Sequence, residues 1–408
     1  MFFVRPTGFL PAGRGKKPNV KMYICPNMNQ PADFFTEFPP VSKEAWLARI
    51  AKDLKGKPLD DLYWHLNDEI HVDPFGHADD WPTPPAPLVQ APEPWEINED
   101  VDETDPVEAN RHALEALHFG ASALCFHLPA RQLSGTLPLL LKGIYLDHIS
   151  LHFCGGGVEA AAAAVLAAMK DILQGIPAQA LRGSLLYDPA AEKGRFRDWR
   201  YLTDLLHYAR AEFPCFRCIS VNGHPEFAGT AGAAHELAGL LHKSRAYFEN
   251  LTAAGISADQ LAGQIQFSLY IGKSYFVEIA KLRAFKILWA NYLKAWGVQP
   301  VYPVLDIRFF PGDYTGDLYG NVIRATTMAM SAVLGGASRL TVLPYDSGRE
   351  DQAIYPRAFS RRIARNVQHL LQLESGFAEL ADPAAGSYYL EKLTAQLASA
   401  AWEKFQKL

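Results

Sequence analysis

The sequence lacks the marks of an exported or membrane-bound protein. Its five cysteines, Cys25, Cys125, Cys154, Cys215 and Cys218, are too few in 408 residues, and odd in number, for a secreted disulfide framework. Cys125, Cys154 and Cys218 stand in apolar, strand-like runs and read as small buried hydrophobes in a reducing compartment. Cys215-Phe-Arg-Cys218 spells CxxC, but no second Cys or His pair follows at zinc-like spacing. On a strand, residues three apart face opposite ways, so no metal is expected there. No apolar run is long enough to span a bilayer. An excess of one charge is also missing: the formal net charge is -5, which gives no electrostatic reason for a nucleic-acid or membrane partner. Acids are absent from residues 1–32, which carry Arg5, Arg14, Lys16, Lys17 and Lys21. A transit peptide would need an amphipathic helix, and Pro6, Gly8, Pro11, Gly13 and Gly15 break one. That stretch is expected to be a disordered basic extension, with Met22 and Met28 as alternative starts, on a cytoplasmic protein.

What is present is enough apolar surface for a large core, 49% of residues. Residues 33–76 form a compact segment in which Lys43–Leu54 reads as a helix, with Trp46, Ile50 and Leu54 on one face and Gly56 as a stop. Residues 77–108 hold seven prolines and many acids, and read as an extended arm or linker. From about residue 109 strands and helices alternate. Strands are expected at Ser122–Leu128, His148–Cys154, Gly183–Tyr187, Phe216–Val221, Ile265–Ile271, Val301–Ile307, Arg339–Leu343 and, weakly, Phe377–Ala381. Helical patterns lie between them, among them Glu159–Leu173, Trp199–Ala211, Tyr275–Trp296 and Arg357–Leu373. The fold class expected from some eight such units is α/β: a (β/α)8 TIM-type barrel over residues 109–408, preceded by a helical and extended amino-terminal arm.

Chemistry-bearing motifs are sparse. Cys154-Gly-Gly-Gly157 follows a strand and precedes a helix, but lacks the following Lys-Ser/Thr of a phosphate loop and reads as a tight turn. His152-Phe-Cys-Gly155 has the HxxG half of a cobalamin-binding Asp-x-His-x-x-Gly signature, yet Ser150 stands where the Asp is needed, so cobalt ligation by this chain is not expected. His224 directly follows the strand Phe216–Val221, at the barrel end where chemistry is placed. Arg200, Arg308 and Arg339 are suited to anionic groups or to ordinary charge pairing. Tyr345-Asp346 opens a polar loop after Arg339–Leu343. No triad, paired-carboxylate site or metal cluster is legible.

Several longer stretches resemble the methylmalonyl-CoA mutase family. Tyr275-Phe-Val-Glu-Ile-Ala-Lys-Leu-Arg-Ala-Phe-Lys-Ile-Leu-Trp-Ala290 is similar to that family's most recognisable helix. Asn321-Val-Ile-Arg324, Phe359-Ser-Arg-Arg-Ile-Ala-Arg-Asn-Val-Gln368, Glu374-Ser-Gly376 and Asp382-Pro-Ala-Ala-Gly-Ser-Tyr-Tyr-Leu-Glu-Lys-Leu-Thr394 follow in the family's order. Phe38-Pro-Pro-Val-Ser-Lys-Glu-Ala-Trp46, Asp53-Leu-Lys-Gly-Lys57, Trp95-Glu-Ile97 and Gly336–Asp346 resemble the small-subunit type, in which the amino-terminal region grips a partner chain.

The departures from catalytic-type chains decide what the resemblance implies. Where those chains carry Ser-Leu-His-Thr-Asn, this sequence has Arg339, Leu340, Thr341, Val342 and Leu343. A Tyr-bearing Pro-Thr-His-Arg-Gly-Tyr run is replaced by Pro129-Ala-Arg-Gln-Leu-Ser134, and a polar His-Ser-Gln-Thr-Ser-Gly-Trp run by Phe309-Phe-Pro-Gly-Asp313. The resemblance therefore implies a small, non-catalytic subunit of an adenosylcobalamin-dependent mutase. The cofactor is expected on a catalytic large subunit and none on this chain, with at most residual acyl-CoA binding. Arg200, His224, Thr341 and Tyr345 are the candidates for what remains of a pocket. Two other readings stand beside it: a catalytic acyl-CoA mutase barrel working with a separate cobalamin-binding chain, and a stand-alone acyl-CoA-binding or scaffold protein.

Overall fold

The computed structural model describes residues 39–67, 69–81, 88, 93–129, 133–173, 175–189, 198–224 and 232–408. The basic extension at 1–32 and most of the proline run at 82–92 lie outside these. The chain divides into two units, Met1–Lys55 and Gly56–Leu408. In the first, helix α1 (Lys43–Asp53) starts at Ser42, whose hydroxyl accepts from the amide of Ala45 and so satisfies one of the helix's free donors. The helix expected at Lys43–Leu54 is this one.

The second unit opens with a short antiparallel hairpin of β1 (Trp64–His65) and β2 (His71–Val72). The strands β3 (Glu96–Val101), β4 (Ala123–His127), β5 (Ser150–Cys154), β6 (Arg182–Leu185), β7 (Phe216–Arg217), β8 (Ile219–Asn222), β9 (Ile265–Ile271), β10 (Leu305–Phe309) and β11 (Arg339–Thr341) follow. Every pairing among them is parallel, in the order β7-β6-β5-β4-β3-β11-β10-β9-β8. Because β7 and β8 are two halves of one strand interrupted at Cys218, this order closes on itself, and the sheet is an eight-stranded TIM-type barrel.

The helices are α2 (Pro106–His118), α3 (Leu133–Leu140), α4 (Gly156–Ile172), α5 (Trp199–Glu212), α6 (Ala233–Ala253), α7 (Ala258–Gln264), α8 (Tyr275–Ala295), α9 (Leu318–Leu334), α10 (Arg357–His369) and α11 (Tyr388–Lys407). None among the described residues is long and apolar enough to cross a membrane. Helix α8 packs against α6, α9 and α11, and is buried on several sides at once. Its charges are consequently internal: Lys281 sits 2.7 Å from Glu278 and 3.0 Å from Glu236, and Arg283 bridges Asp382 and Glu391.

Three expectations are corrected. The first strand, β3, lies inside the segment read as a linker, and α2 also begins before residue 109, so the barrel starts well before the expected boundary. Its residues Glu96, Asn98 and Asp100 face a charged interior, so the strand has no apolar alternation by which to recognise it. Conversely, Phe377–Ala381 is not a strand: Phe377–Glu379 form a single 3-10 turn after Gly376, which takes a left-handed φ of +67°. The sheet is complete without it. The strand expected at Val301–Ile307 runs from Leu305 to Phe309, starting only after Pro303, which has no amide to give a ladder.

Candidate functional site

Along each barrel strand alternate residues face the axis or the helices. The outward set is that of an ordinary core: Leu124, Phe126, Leu151, Phe153, Phe267, Leu269, Leu305, Ile307 and Leu340 are all essentially buried. The inward set is polar, where a TIM barrel ordinarily stacks branched apolar side chains. Its middle is made by Asn98, His152, Ser184, Ser220, Ser268, Asp306 and Arg339, every one of them buried.

These groups form a continuous ladder along the axis. Arg339 donates from Nε to Asp306 at 2.9 Å, and its Nη1 lies 2.8 Å from Nδ1 of His152. His152 also meets the Ser184 hydroxyl at 2.8 Å and the Glu96 carboxylate at 3.4 Å. On the other side Asp306 takes Ser268 at 3.1 Å and Arg308 at 3.3 Å, and Arg308 reaches Asp100 at 2.7 Å. Asn98 links Asp100 to Thr341, donating to the Thr341 hydroxyl at 2.8 Å. Each charge of the ladder thus has an opposite partner, the condition under which charges survive in a barrel core.

The ionisation states follow from this pairing. Burial and the neighbouring Arg339 cation push the His152 imidazole down to about 4, so it is neutral at pH 7. Burial alone would raise the carboxyls of Glu96 and Asp306. His152 and Arg339 hold Glu96 at about 2, and Arg339 with Arg308 hold Asp306 at about 2. Asp100, beside Arg308 and His127, also lies well below the usual carboxylate range despite its burial.

The ladder separates two cavities. One, of about 910 Å3, opens at the amino-terminal ends of the strands and is lined by Glu96, His152, Arg182, Arg217, Lys286 and Arg339 among others. Lys286 has no acidic partner there among the described residues, and burial together with Arg283 lowers it to about 8. The other, of about 150 Å3, lies at the carboxyl ends, lined by Asn98, Asp100, His127, Thr341 and Asp346 among others. Asp346 is 2% exposed, and neither carboxylate oxygen has a hydrogen-bond partner among the described residues.

The four pocket candidates do not converge. Thr341 lines the carboxyl-end cavity. Tyr345 is buried beside it, with its backbone oxygen taken by Asn321. Arg200 is exposed on the first turn of α5, and His224 is exposed two residues beyond β8. The residues replacing the Tyr-bearing run, Ala130 to Gln132, lie outside the described residues. Arg308 and Arg339, read from sequence as suited to anionic groups, meet the chain's own carboxylates.

The described residues around His152 do not fit cobalt ligation. His152 is 3% exposed inside the barrel, held by Ser184, Glu96 and Arg339, and Ser150 is occupied by its hydrogen bond to Glu96. A cobalt-ligating imidazole needs a free face and an orienting carboxylate behind it. The triple glycine beyond is a turn pressed against β4: Gly157 donates to the Leu128 carbonyl at 2.9 Å, and a Cβ on Gly155 would lie 2.9 Å from that same oxygen. Cys215 is exposed in the turn before β7, and Cys218 is buried at the break between β7 and β8, with its thiol pushed up to about 12 by burial.

Sequence reasoning missed one cluster. Cys125, His127 and Cys154 place one sulfur or nitrogen each within 4.8 Å of one another at the carboxyl end of β4 and β5. No spacing rule signals it, because Cys154 reaches its neighbours only through the register of two strands.

Comparison with known proteins agrees with this architecture. The family model described as Methylmalonyl-CoA mutase matches residues 132–408. A methylmalonyl-CoA mutase small subunit of Porphyromonas gingivalis is 34% identical over 399 residues, covering 91% of this chain and 63% of that protein. The small subunit of Streptomyces virginiae is 30% identical, covering 91% and 64%, and that organism's large subunit is 27% identical, covering 91% and 56%. The chain thus spans less than two thirds of the length of these relatives. A model match over most of its residues, together with small-subunit relatives at 30% identity or more, shows that the chain belongs to the methylmalonyl-CoA mutase family.

Proposed function

We propose that this chain serves as a small, non-catalytic subunit of an adenosylcobalamin-dependent methylmalonyl-CoA mutase, paired with a large catalytic subunit. The observation that carries this reading is the ion-pair ladder on the barrel axis. A barrel that converts an acyl-CoA must admit the thioester, exclude water and present polar contacts to the migrating carbonyl. Here the axis is taken by Arg339, Asp306 and Arg308, each paired with an opposite charge of the chain itself. The carboxyl-end cavity of about 150 Å3 is smaller than the roughly 300–1,000 Å3 of ordinary ligand sites. Access from the larger cavity would require displacing Arg339, which is 2% exposed.

In such an assembly the large subunit would hold adenosylcobalamin, whose cobalt–carbon bond supplies the radical for rearrangement. The role left to this chain is structural: a folded barrel that stabilises the catalytic one. The residues around α1 are the proposed arm toward the partner. A homologous large subunit beside small-subunit relatives supports the pairing.

The test is co-expression of this chain with the large mutase subunit of the same source. Expected are a one-to-one complex and adenosylcobalamin-dependent turnover that requires the large subunit. Turnover or micromolar acyl-CoA binding by this chain alone would overturn the reading in favour of a working barrel.

A further inference from the structure

We propose that Cys125, His127 and Cys154 form a thiophilic metal site, of a kind suited to Zn2+, at the carboxyl-end mouth of the barrel. The inference rests on the geometry of β4 and β5 and is independent of the subunit reading. Cys125 and His127 are two apart on β4 and so share its inward face. Cys154 on β5 is the register partner of His127. The two sulfurs are 3.5 Å apart, and all three ligand atoms lie within 4.8 Å. Tetrahedral zinc, with Zn–S about 2.3 Å and Zn–N about 2.0 Å, sets ligand atoms roughly 3.5–3.8 Å apart. The sulfurs are already near that spacing. The imidazole has further to come, and it is the exposed member: its side chain is 41% exposed, whereas Cys125 is 0% and Cys154 8% exposed.

The surroundings match what metal sites require. Asp100 lies 3.6 Å from Nε2 of His127, the carboxylate support that orients ligating histidines. Arg308 binds Asp100 and also places Nη2 3.5 Å from the Cys125 sulfur. Charge closes locally: two thiolates neutralise a divalent ion, while Arg308 neutralises Asp100. Binding would displace two thiol protons to solvent and form two metal–sulfur bonds and one metal–nitrogen bond, with no change of oxidation state. Soft sulfur ligands exclude Mg2+ and Ca2+ and favour Zn2+ among the common divalent ions. The exposed side leaves a fourth position for water.

The test uses the full chain, purified reduced and stripped with chelator, then titrated with Co2+ as a spectroscopic probe and with Zn2+ by elemental analysis. Expected is one Co2+ per chain, with thiolate-to-cobalt charge transfer and the strong visible bands of four-coordinate cobalt, both abolished by Zn2+. The double variant C125S/C154S should lose both signals, and the control C215S should keep them. Since the buried double variant can fail to fold, exposed His127 gives a second arm: H127A should weaken the affinity tenfold or more. A folded, reduced chain without charge-transfer absorption would overturn the proposal. So would unchanged affinity in H127A, or a Cys125–Cys154 disulfide found as a mass two daltons lower that forms in preference to the metal complex.

Discussion

Arg339 and Asp306 are register partners on neighbouring strands, and the guanidinium Nε donates to the carboxylate at 2.9 Å inside the barrel, with both residues shielded from water. Removing one partner leaves a buried charge short of its nearest counter-ion, although Arg308 stays 3.3 Å from Asp306, a loss at the lower end of about 3–5 kcal/mol. Arg339→Met is therefore expected to destabilise the chain by about that much, and Asp306→Asn by a similar amount. The double variant R339M/D306N should cost clearly less than the two added together, because neither charge is then stranded. Urea unfolding of the four proteins measures this. Additivity within about 0.5 kcal/mol would show that the pair is not the unit of stability.

The same ladder sets an acid limit. His152 is lowered to about 4 by burial and Arg339, so the unfolded chain binds its proton first as pH falls below about 6.5, and stability declines toward pH 4. Glu96 and Asp306, held at about 2, add a second loss between the usual carboxylate range and pH 2. His112 and His127 are raised, by Glu103 and Glu99 against burial in the first and by Asp100 in the second. Their contributions are full below about 6.5 and are lost only as pH rises above it. Unfolding free energy measured from pH 7 to 4.5 should fall by on the order of 3 kcal/mol from His152, and H152Q should flatten that part of the curve. An unchanged slope in H152Q would refute the assignment.

Lys286 carries the opposite signature at high pH. Burial and Arg283 lower it to about 8, so between about 8 and the usual lysine range the unfolded chain holds more protons, and stability rises with pH. Lys286→Met removes a buried cation without an acidic partner. It should stabilise the chain at pH 7 by roughly 2–3 kcal/mol, and the advantage should shrink toward pH 10. Paired melts of parent and variant at pH 7 and 10 check this, and a variant less stable at pH 7 contradicts it.

For the holoenzyme, Arg200→Ala and His224→Ala are expected to leave turnover within about twofold of the parent, since both residues are exposed and do not line the cavity at the carboxyl ends. A hundredfold fall in kcat in a complex that still assembles would mean that this barrel takes part in the chemistry.

How far the sequence spoke for the structure depended on which face of a strand carried the signal. The strands Ile265–Ile271 and Phe216–Val221 were legible because their outward residues, such as Phe267, Leu269, Ile219 and Val221, are apolar and buried. The strand Glu96–Val101 was not, because Glu96, Asn98 and Asp100 look like linker acids until Arg339, Thr341 and Arg308 are placed beside them. Phe377 erred the other way, offering apolar character to a segment that only turns. Ser150 in place of the signature's Asp argues against cobalt ligation, and the buried, fully engaged His152 weighs on the same side. The cluster of Cys125, His127 and Cys154 was beyond reach, because it depends on strand register rather than on spacing.

The polar lining also fixes how the cylinder can close. Sliding one strand by a single residue turns its inward set outward. In a barrel lined by interchangeable aliphatic groups such a slip exchanges one oily face for another. Here it would aim Asp306 and Arg308 at the helices and bring Leu305 and Ile307 to face Ser268 and Thr341. Strand stagger and barrel size are linked, so the axial charges act as a key cut for one shear number, and this closure is specified by electrostatics as much as by packing.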